Sequence, residues 1–551
     1  MRLPAHPAPE WKYLREPDVG VALDPEWAMK AGQRPGKYYG QTTGGAINIR
    51  TKMMTKPGEQ FVIRRRANAM IKKAFDENGI HFAFPTVQLA GGSTLIAAPW
   101  LVTIIGRIVS CGLLAQGWVR LATALHLSPI HSCLSAVIFA ACNLAGSFSG
   151  EWVLGGFESK VPAWGLALLA IAGWLTAVQH ATPQKSSLIT AGLCSGLGSS
   201  LHPVVGGWLA VCLCSAQLLA APGNLRTRLH GLLLFSVPAL LAALPGLIPA
   251  VLFLKAGSGP AAELSRAGFI QVFWRLRHHL DPTELTAQQW VYAAVMTTLI
   301  VGSFRRLCHQ PATTQNTNQM QSARLLLALL AGSAAIAAAG LVVGWHTVPV
   351  EQLTDWRWRA ALLRFYPFRT LDALLPLCAS LLVVMAAAGH HRMAIQLSQR
   401  TTAVLSLLVL LAAWAVRPAA PPGYTEKQYA EWQQACAWLR QNTPPDALIL
   451  TPRESFGFKW FAERAEYVCY KDCPQDAAGI LEWDRRLWLL HSWTLHSSGD
   501  GLYDARDLES LRQQTDCDYI LTRILGPFAA QPVWQGSEWQ ILRVPASQNR
   551  P

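Results

Sequence analysis

The chain has 551 residues, 51% of them hydrophobic and 15% charged, with a formal net charge of +14. Soluble globular chains carry nearer a quarter charged residues, which argues against a uniformly soluble protein. The positive charge is spread over short loops and helix ends rather than gathered on one soluble face. No nucleic-acid partner is therefore expected, and basic loops beside a lipid bilayer account for the excess.

The charge deficit is confined to the middle of the chain. Residues 1–90 and 421–551 carry ordinary charge, while 94–420 are dominated by Leu, Ala, Val, Gly and Trp. This pattern predicts an α-helical polytopic membrane domain over 94–420, flanked by a small N-terminal α/β segment (1–90) and a C-terminal α/β soluble domain (421–551). The first thirty residues are rich in Pro and charge and lack an apolar core, so no signal peptide is expected.

In the front segment, "AINIRTKMMT" (46–55) alternates as a strand does, and Pro57-Gly58 breaks it. From Glu59 the apolar residues Ile63, Ala67, Met70, Ile71, Ala74 and Phe75 recur at helical spacing until Asn78-Gly79. "IHFAFPTVQLA" returns as a strand. The run "TKPGEQFVIRRRANAMIKKAFDENGIHFAFPTVQ" closely resembles the carboxy-terminal α/β domain of small-conductance mechanosensitive channels. The resemblance covers roughly 45–90 and implies a mechanosensitive ion channel domain. In that family a pore helix and a β domain precede this segment, whereas residues 1–45 are too short and polar for a span. The front is accordingly expected to be grafted onto the membrane body, by gene fusion or by a misplaced gene boundary.

The membrane body offers candidate spans at 94–116, 129–147, 162–180, 186–199, 204–220, 231–254, 289–303, 325–345, 370–388 and 401–417, nine or ten crossings in all. The first is irregular, with Arg107 near its centre, and is expected not to cross, because an unpaired Arg in lipid is costly. Counting onward, loops 148–161, 200–203, 255–288 and 346–369 and the C-terminal domain fall on one face. The opposite face receives short connections with Lys185, Arg226, Arg228, Arg305, Arg306, Arg324, Arg392 and Arg400, as cytoplasmic loops do.

All the chemically suggestive residues lie on the long-loop face. "GEWVLGGFESK" places Glu151 and Glu158, "LHPVVGGW" places His202 before a Pro break, and "WRLRHHLDP" gathers Arg275, His278, His279 and Asp281. "WRWRAALLRFYPFRTLD" adds Arg364, Arg369 and Asp372. Arg can hold a phosphate bidentately while a carboxylate or His acts as base. The same residues could instead cap helices or form an aromatic belt with snorkelling Arg. No CxxC pair or His/Cys cluster has zinc spacing, and the sequence names no cofactor or metal.

This arrangement resembles the C-type (GT-C) glycosyltransferases, polytopic enzymes that use polyprenyl-phosphate sugars. The resemblance implies an acidic residue in the first extracytoplasmic loop that serves as catalytic base or metal ligand, matching Glu158 first and Glu151 second, and a polyprenyl-phosphate-linked substrate. From the convergence on one face, His202 is a further catalytic candidate, and Arg275, His278, His279, Asp281, Arg364 and Arg369 are candidates to bind that substrate. The expected location is a bacterial inner membrane, with the C-terminal domain extracytoplasmic. The alternatives are a channel-related protein and a noncatalytic membrane scaffold.

The tail is predicted to hold an amphipathic helix in "EKQYAEWQQACAWLRQN", a strand at Ala447–Leu450, helices near Ala477–Leu490 and Ala505–Gln513, and strands near Tyr519–Thr522 and Gln540–Val544. Its "W-R-NTP-DALILTP" run resembles the extracytoplasmic tails of GT-C-like proteins. Cys436, Cys469, Cys473 and Cys517 could pair if the domain is extracytoplasmic; the sequence leaves this open.

Overall fold

The computed structural model describes residues 99–179, 184–256, 260–310, 314–388 and 423–545, with short pieces between 20 and 54 and between 401 and 421. At the front, β1 (Gly20–Ala22) pairs antiparallel with β4 (Lys52–Met54), and β2 (Thr42–Thr43) with β3 (Ala46–Ile47). The expected strand over 46–55 is therefore split between two pairings. The expected helix Glu59–Asn78 and the strand after it lie outside the described residues, as does most of 401–417.

The body is a helical bundle: α1 (Pro99–Ala124), α2 (Pro129–Ala145), α3 (Lys160–Val178), α4 (Lys185–Leu201), α5 (Pro203–Leu219), α6 (Leu225–Ala256), α7 (Ala261–Phe269), α8 (Ala287–Cys308), α9 (Thr314–Gly344), α10 (Trp356–Leu363) and α11 (Arg369–Ala388). Among the described residues six helices are long and apolar enough to cross a membrane: α1, α3, α6, α8, α9 and α11. Two shorter apolar helices, α2 and α5, accompany them.

Local chemistry sets the breaks. Pro129 and Pro203 open α2 and α5, where a missing N–H is harmless. Ser128 caps α2, and Thr286 with Gln289 forms a capping box on α8.

Burial sorts the helices into layers. Inside the bundle, α3 and α11 have 78% and 83% of their apolar windows buried, against 17% for α6 and for α8. The two central helices are thus shielded by their neighbours, while α6 and α8 turn residues such as Leu240 and Val291 outward. Close approach is made by small residues. A Cβ on Gly192 or Gly196 of α4 would sit 2.2 Å from the carbonyl oxygen of Phe235 or Ala239 on α6, the small-xxx-small contact that lets helix backbones touch. Gly117 of α1 and Gly165 of α3 meet in the same way against Leu168 and Leu113.

The first helix departs from expectation. It starts and ends later than 94–116, so Arg107 falls in its third turn and not at its centre. There the Arg107 guanidinium approaches Gly156, and the neighbouring Gly106 abuts the Phe157 ring in the 148–161 loop. At the other end Trp118 Nε1 donates to the Ser132 carbonyl at the start of α2, and Gln179 donates to the Ala124 carbonyl. The Arg behind the expectation of no crossing is thus not central, and the helix is long and apolar enough to cross a membrane.

The tail folds as an α/β unit. A five-stranded sheet has the order β6–β5–β7–β9–β8, formed by β5 (Leu448–Leu450), β6 (Ala465–Glu466), β7 (Tyr519–Thr522), β8 (Trp534–Gln535) and β9 (Gln540–Arg543). β5 is parallel to β6 and β7, and β9 is antiparallel to β7 and β8. Helices α12 (Glu426–Asn442), α13 (Phe458–Ala462), α14 (Ala477–Ser497) and α15 (Ala505–Thr515) complete it. One sheet face packs Ile449, Leu521 and Ile541 against Trp432 and Leu439 of α12; the other packs Leu450, Ile520 and Leu542 against Ile480 and Leu511. Cys436, Cys469, Cys473 and Cys517 are free thiols, so the tail is held by this two-sided core.

Candidate functional site

The loops 148–161, 200–203, 255–288 and 346–369 meet at one end of the bundle. They are tied there by named contacts. Asp372, in the first turn of α11, is buried and accepts from the Phe148 amide, from the Ser149 amide (2.9 Å) and hydroxyl (3.0 Å), and from the Glu151 amide (2.8 Å). One carboxylate thus fixes four donors of the loop before α3. From the other side His279 donates Nδ1–H to the Ser149 carbonyl. Gly150, at φ +83°, passes between them; a Cβ there would lie 2.4 Å from the His279 ring, so only glycine fits both the backbone and the space.

The clamp presents Glu151. Its side chain is 2% exposed, with Oε2 3.0 Å from Arg369 Nε and 3.7 Å from Lys160 Nζ. Trp164 Nε1 donates to Oε1 at 3.3 Å. Lys160 and Arg369 are the first residues of α3 and α11, so the two shielded helices each deliver one cation and a positive helix end to the same carboxylate. Lys160 lies 3.7 Å from the Trp152 ring centroid and Arg369 4.1 Å from that of Tyr366. Burying a charge among such partners is tolerable because each is paired; removing one partner typically costs about 3–5 kcal/mol.

His202 closes the ring. It caps α5 by accepting the Val205 amide at Nδ1 (3.2 Å), and its Nε2 stands 3.4 Å from Arg369 Nη1. Burial, with Arg369 and Lys160 nearby, pushes its imidazole down to about 3. The Val205 amide and the Arg369 guanidinium both only donate, so they compete for the single lone pair of the neutral ring, and His202 has none free to act as a base. The tautomer of His279 is fixed. A carbonyl only accepts, so Nδ1 holds the proton and Nε2 keeps its lone pair. Burial lowers this imidazole to about 4, against the pull of the Ser149 bond.

The other expected residues are distributed around this centre. Glu158 is half exposed at the rim, 3.4 Å from Lys160. His278 is exposed and packs on His279 at 4.0 Å between centroids, the rings tilted by 43°. Arg275 donates to the Lys471 carbonyl at 3.2 Å and covers the Tyr470 ring, tying the tail to this end of the bundle. Asp281 is buried but turned to Thr283 and to His346 Nε2 at 3.0 Å, where it caps a turn. Arg364 is exposed over Phe365, apart from the cluster. Lys160, Tyr366 and the clamping role of Asp372 were missed from sequence. Lys160 was legible as the first residue of an otherwise apolar span.

In the tail, ligand atoms of Glu466, Cys469 and Asp472 lie within 4.8 Å of one another. The Lys459 ammonium sits 2.5 Å from Asp472 and 4.0 Å from Glu466. That ammonium already supplies the charge a metal ion would bring.

Residues 430–490, from α12 into α14, match a family described as "Domain of unknown function (DUF6798)". No curated protein matches the chain.

Proposed function

We propose that this is a multi-pass membrane protein that transfers a sugar from a lipid-linked phosphate donor at the Glu151 end of the bundle. The observation that carries this reading is the sharing of one buried carboxylate by Lys160 and Arg369 at the starts of the two central helices. At rest the carboxylate is locked by its own cations. An entering phosphate competes for the ammonium and the guanidinium, which suit it better than a carboxylate does. Glu151 is thereby released to act as base. The acceptor oxygen then attacks the anomeric carbon, the bond from that carbon to the phosphate oxygen breaks, and the acceptor proton passes to Glu151. The leaving phosphate monoester keeps its charge against Lys160, Arg369 and the two helix ends. Trp152 and Tyr366 provide faces for a sugar.

The GT-C likeness and a bacterial inner-membrane setting are parts of this proposal. The channel-related alternative rests on residues 45–90, most of which lie outside the described residues. The test is release of polyprenyl phosphate from a panel of polyprenyl-phosphate sugars by the full-length protein in lipid nanodiscs. Glu151→Gln should lower turnover by about a hundredfold or more. Turnover that survives the substitution, or no turnover with any donor, would overturn the assignment.

A further inference from the structure

The opposite end of the bundle holds a second polar space. A cleft of about 840 Å³ opens between the last turns of α1 and α3 and the first turns of α4 and α9. It reaches from His126 back to Gln116 on α1 and from Ser186 to Cys194 on α4. At 1.5 Å per residue that is a depth of about 12–15 Å, close to half the hydrocarbon thickness of a bilayer.

Its lining is unusual for helices of membrane length. Arg120, Gln116, Thr190, Asn318 and Gln321 face it from three helices, and among the described residues no Asp or Glu lines it. Arg120 is exposed into the cleft and has no ion pair or hydrogen bond among the described residues. Polar groups at this depth are expensive unless they face a cavity or a ligand. Gln179 shows the alternative, its amide being spent on the Ala124 carbonyl and Ser322 hydroxyl, both at 2.7 Å. The outer edge of α4 presents Ile189, Leu193 and Leu197 exposed, an apolar margin beside a polar interior.

We propose that this cleft binds a phosphate ester whose remaining headgroup carries hydroxyls, with Arg120 taking the phosphate and the amides and hydroxyls taking the polyol. A guanidinium without a carboxylate partner leaves the site one positive charge, which a phosphodiester neutralises. The apolar margin on α4 gives acyl chains a path out toward the bilayer. The inference uses the membrane placement proposed above but not the transfer reaction, and it is read at the other end of the bundle from Glu151.

The test is native mass spectrometry of the full-length protein titrated with phosphatidylglycerol, with glycerol 1-phosphate as a separate arm. Wild type should retain the lipid. Arg120→Gln should weaken it at least about tenfold, the loss expected for one charge-assisted bond. Gln116→Trp, which fills the cleft, should do the same. Competition by millimolar glycerol 1-phosphate would support the phosphate site and identify a soluble source; its absence would support the lipid source. Equal lipid retention by wild type and Arg120→Gln, or retention of neither probe by wild type, would overturn the inference. Arg120 supports no packing contact of its own, so this variant should fold, and an unchanged thermal midpoint would verify it.

Discussion

Replacing Asp372 by Asn removes a charge from a carboxylate that accepts four hydrogen bonds from the Phe148–Glu151 loop. Three of the donors, from Ser149 and Glu151, meet Oδ2 and one, the Phe148 amide, meets Oδ1. An amide oxygen in the Oδ2 place keeps the three as bonds to a neutral acceptor, while the NH₂ group faces the Phe148 N–H, donor against donor. One bond to a charged acceptor is lost at about 1.5 kcal/mol and three are weakened by about 0.5 kcal/mol each, so the loop should be destabilised by about 3 kcal/mol. That corresponds to roughly a hundredfold rise in the local opening equilibrium. Hydrogen exchange of peptides spanning 146–159, followed by mass spectrometry, reads this directly. The Ser149 and Glu151 amides should exchange about a hundred times faster in the variant, while peptides from the centre of α3 stay protected. Unchanged exchange across 146–159 would mean that Asp372 does not hold the loop, and the account of how Glu151 is presented would fail with it.

Acid should weaken the same end of the bundle. His202 and His279 are pushed below the ordinary imidazole value, to about 3 and about 4, chiefly by burial. With folded values below unfolded ones, the unfolded chain binds protons first, so stability is present above about pH 6.5 and lost as pH falls toward 4. The apparent melting temperature in detergent should drop between pH 7 and pH 5, and His202→Gln with His279→Gln should flatten that slope; an equally steep slope in the double variant would contradict the assignment. Gly196→Val places a branched side chain where a single Cβ already lies 2.2 Å from the Ala239 carbonyl oxygen. This should part α4 from α6 and abolish the monodisperse peak in size-exclusion chromatography, whereas Gly207→Ala, with nothing within 4 Å of its Cβ, should not.

The sequence was informative wherever one-dimensional patterns carry the signal. Span positions followed from apolar run length, and the α3 and α11 starts fell within a few residues of 162 and 370. Tail strands β5, β7 and β9 read clearly because each is a short apolar run bounded by turns. The two-residue strands β6 and β8 did not, since so short a segment has no period. The parity of helices also assembled the right loops, and Glu151, His202, His279 and Arg369 do come together at one end.

Run length and residue type by themselves determined a chain of apolar helices with an α/β tail, because the length and period of an apolar run are carried by the sequence itself. Tertiary structure decided the rest. It made Glu151 the enclosed carboxylate and left Glu158 at the rim, because Asp372, 221 residues away from Glu151 in the chain, turns the loop inward. It fixed the tautomer of His279, because the Ser149 carbonyl that takes its Nδ1–H lies 130 residues away in the chain. It also left Arg120 without a counter-charge among the described residues, since only the packing of four helices defines what faces it.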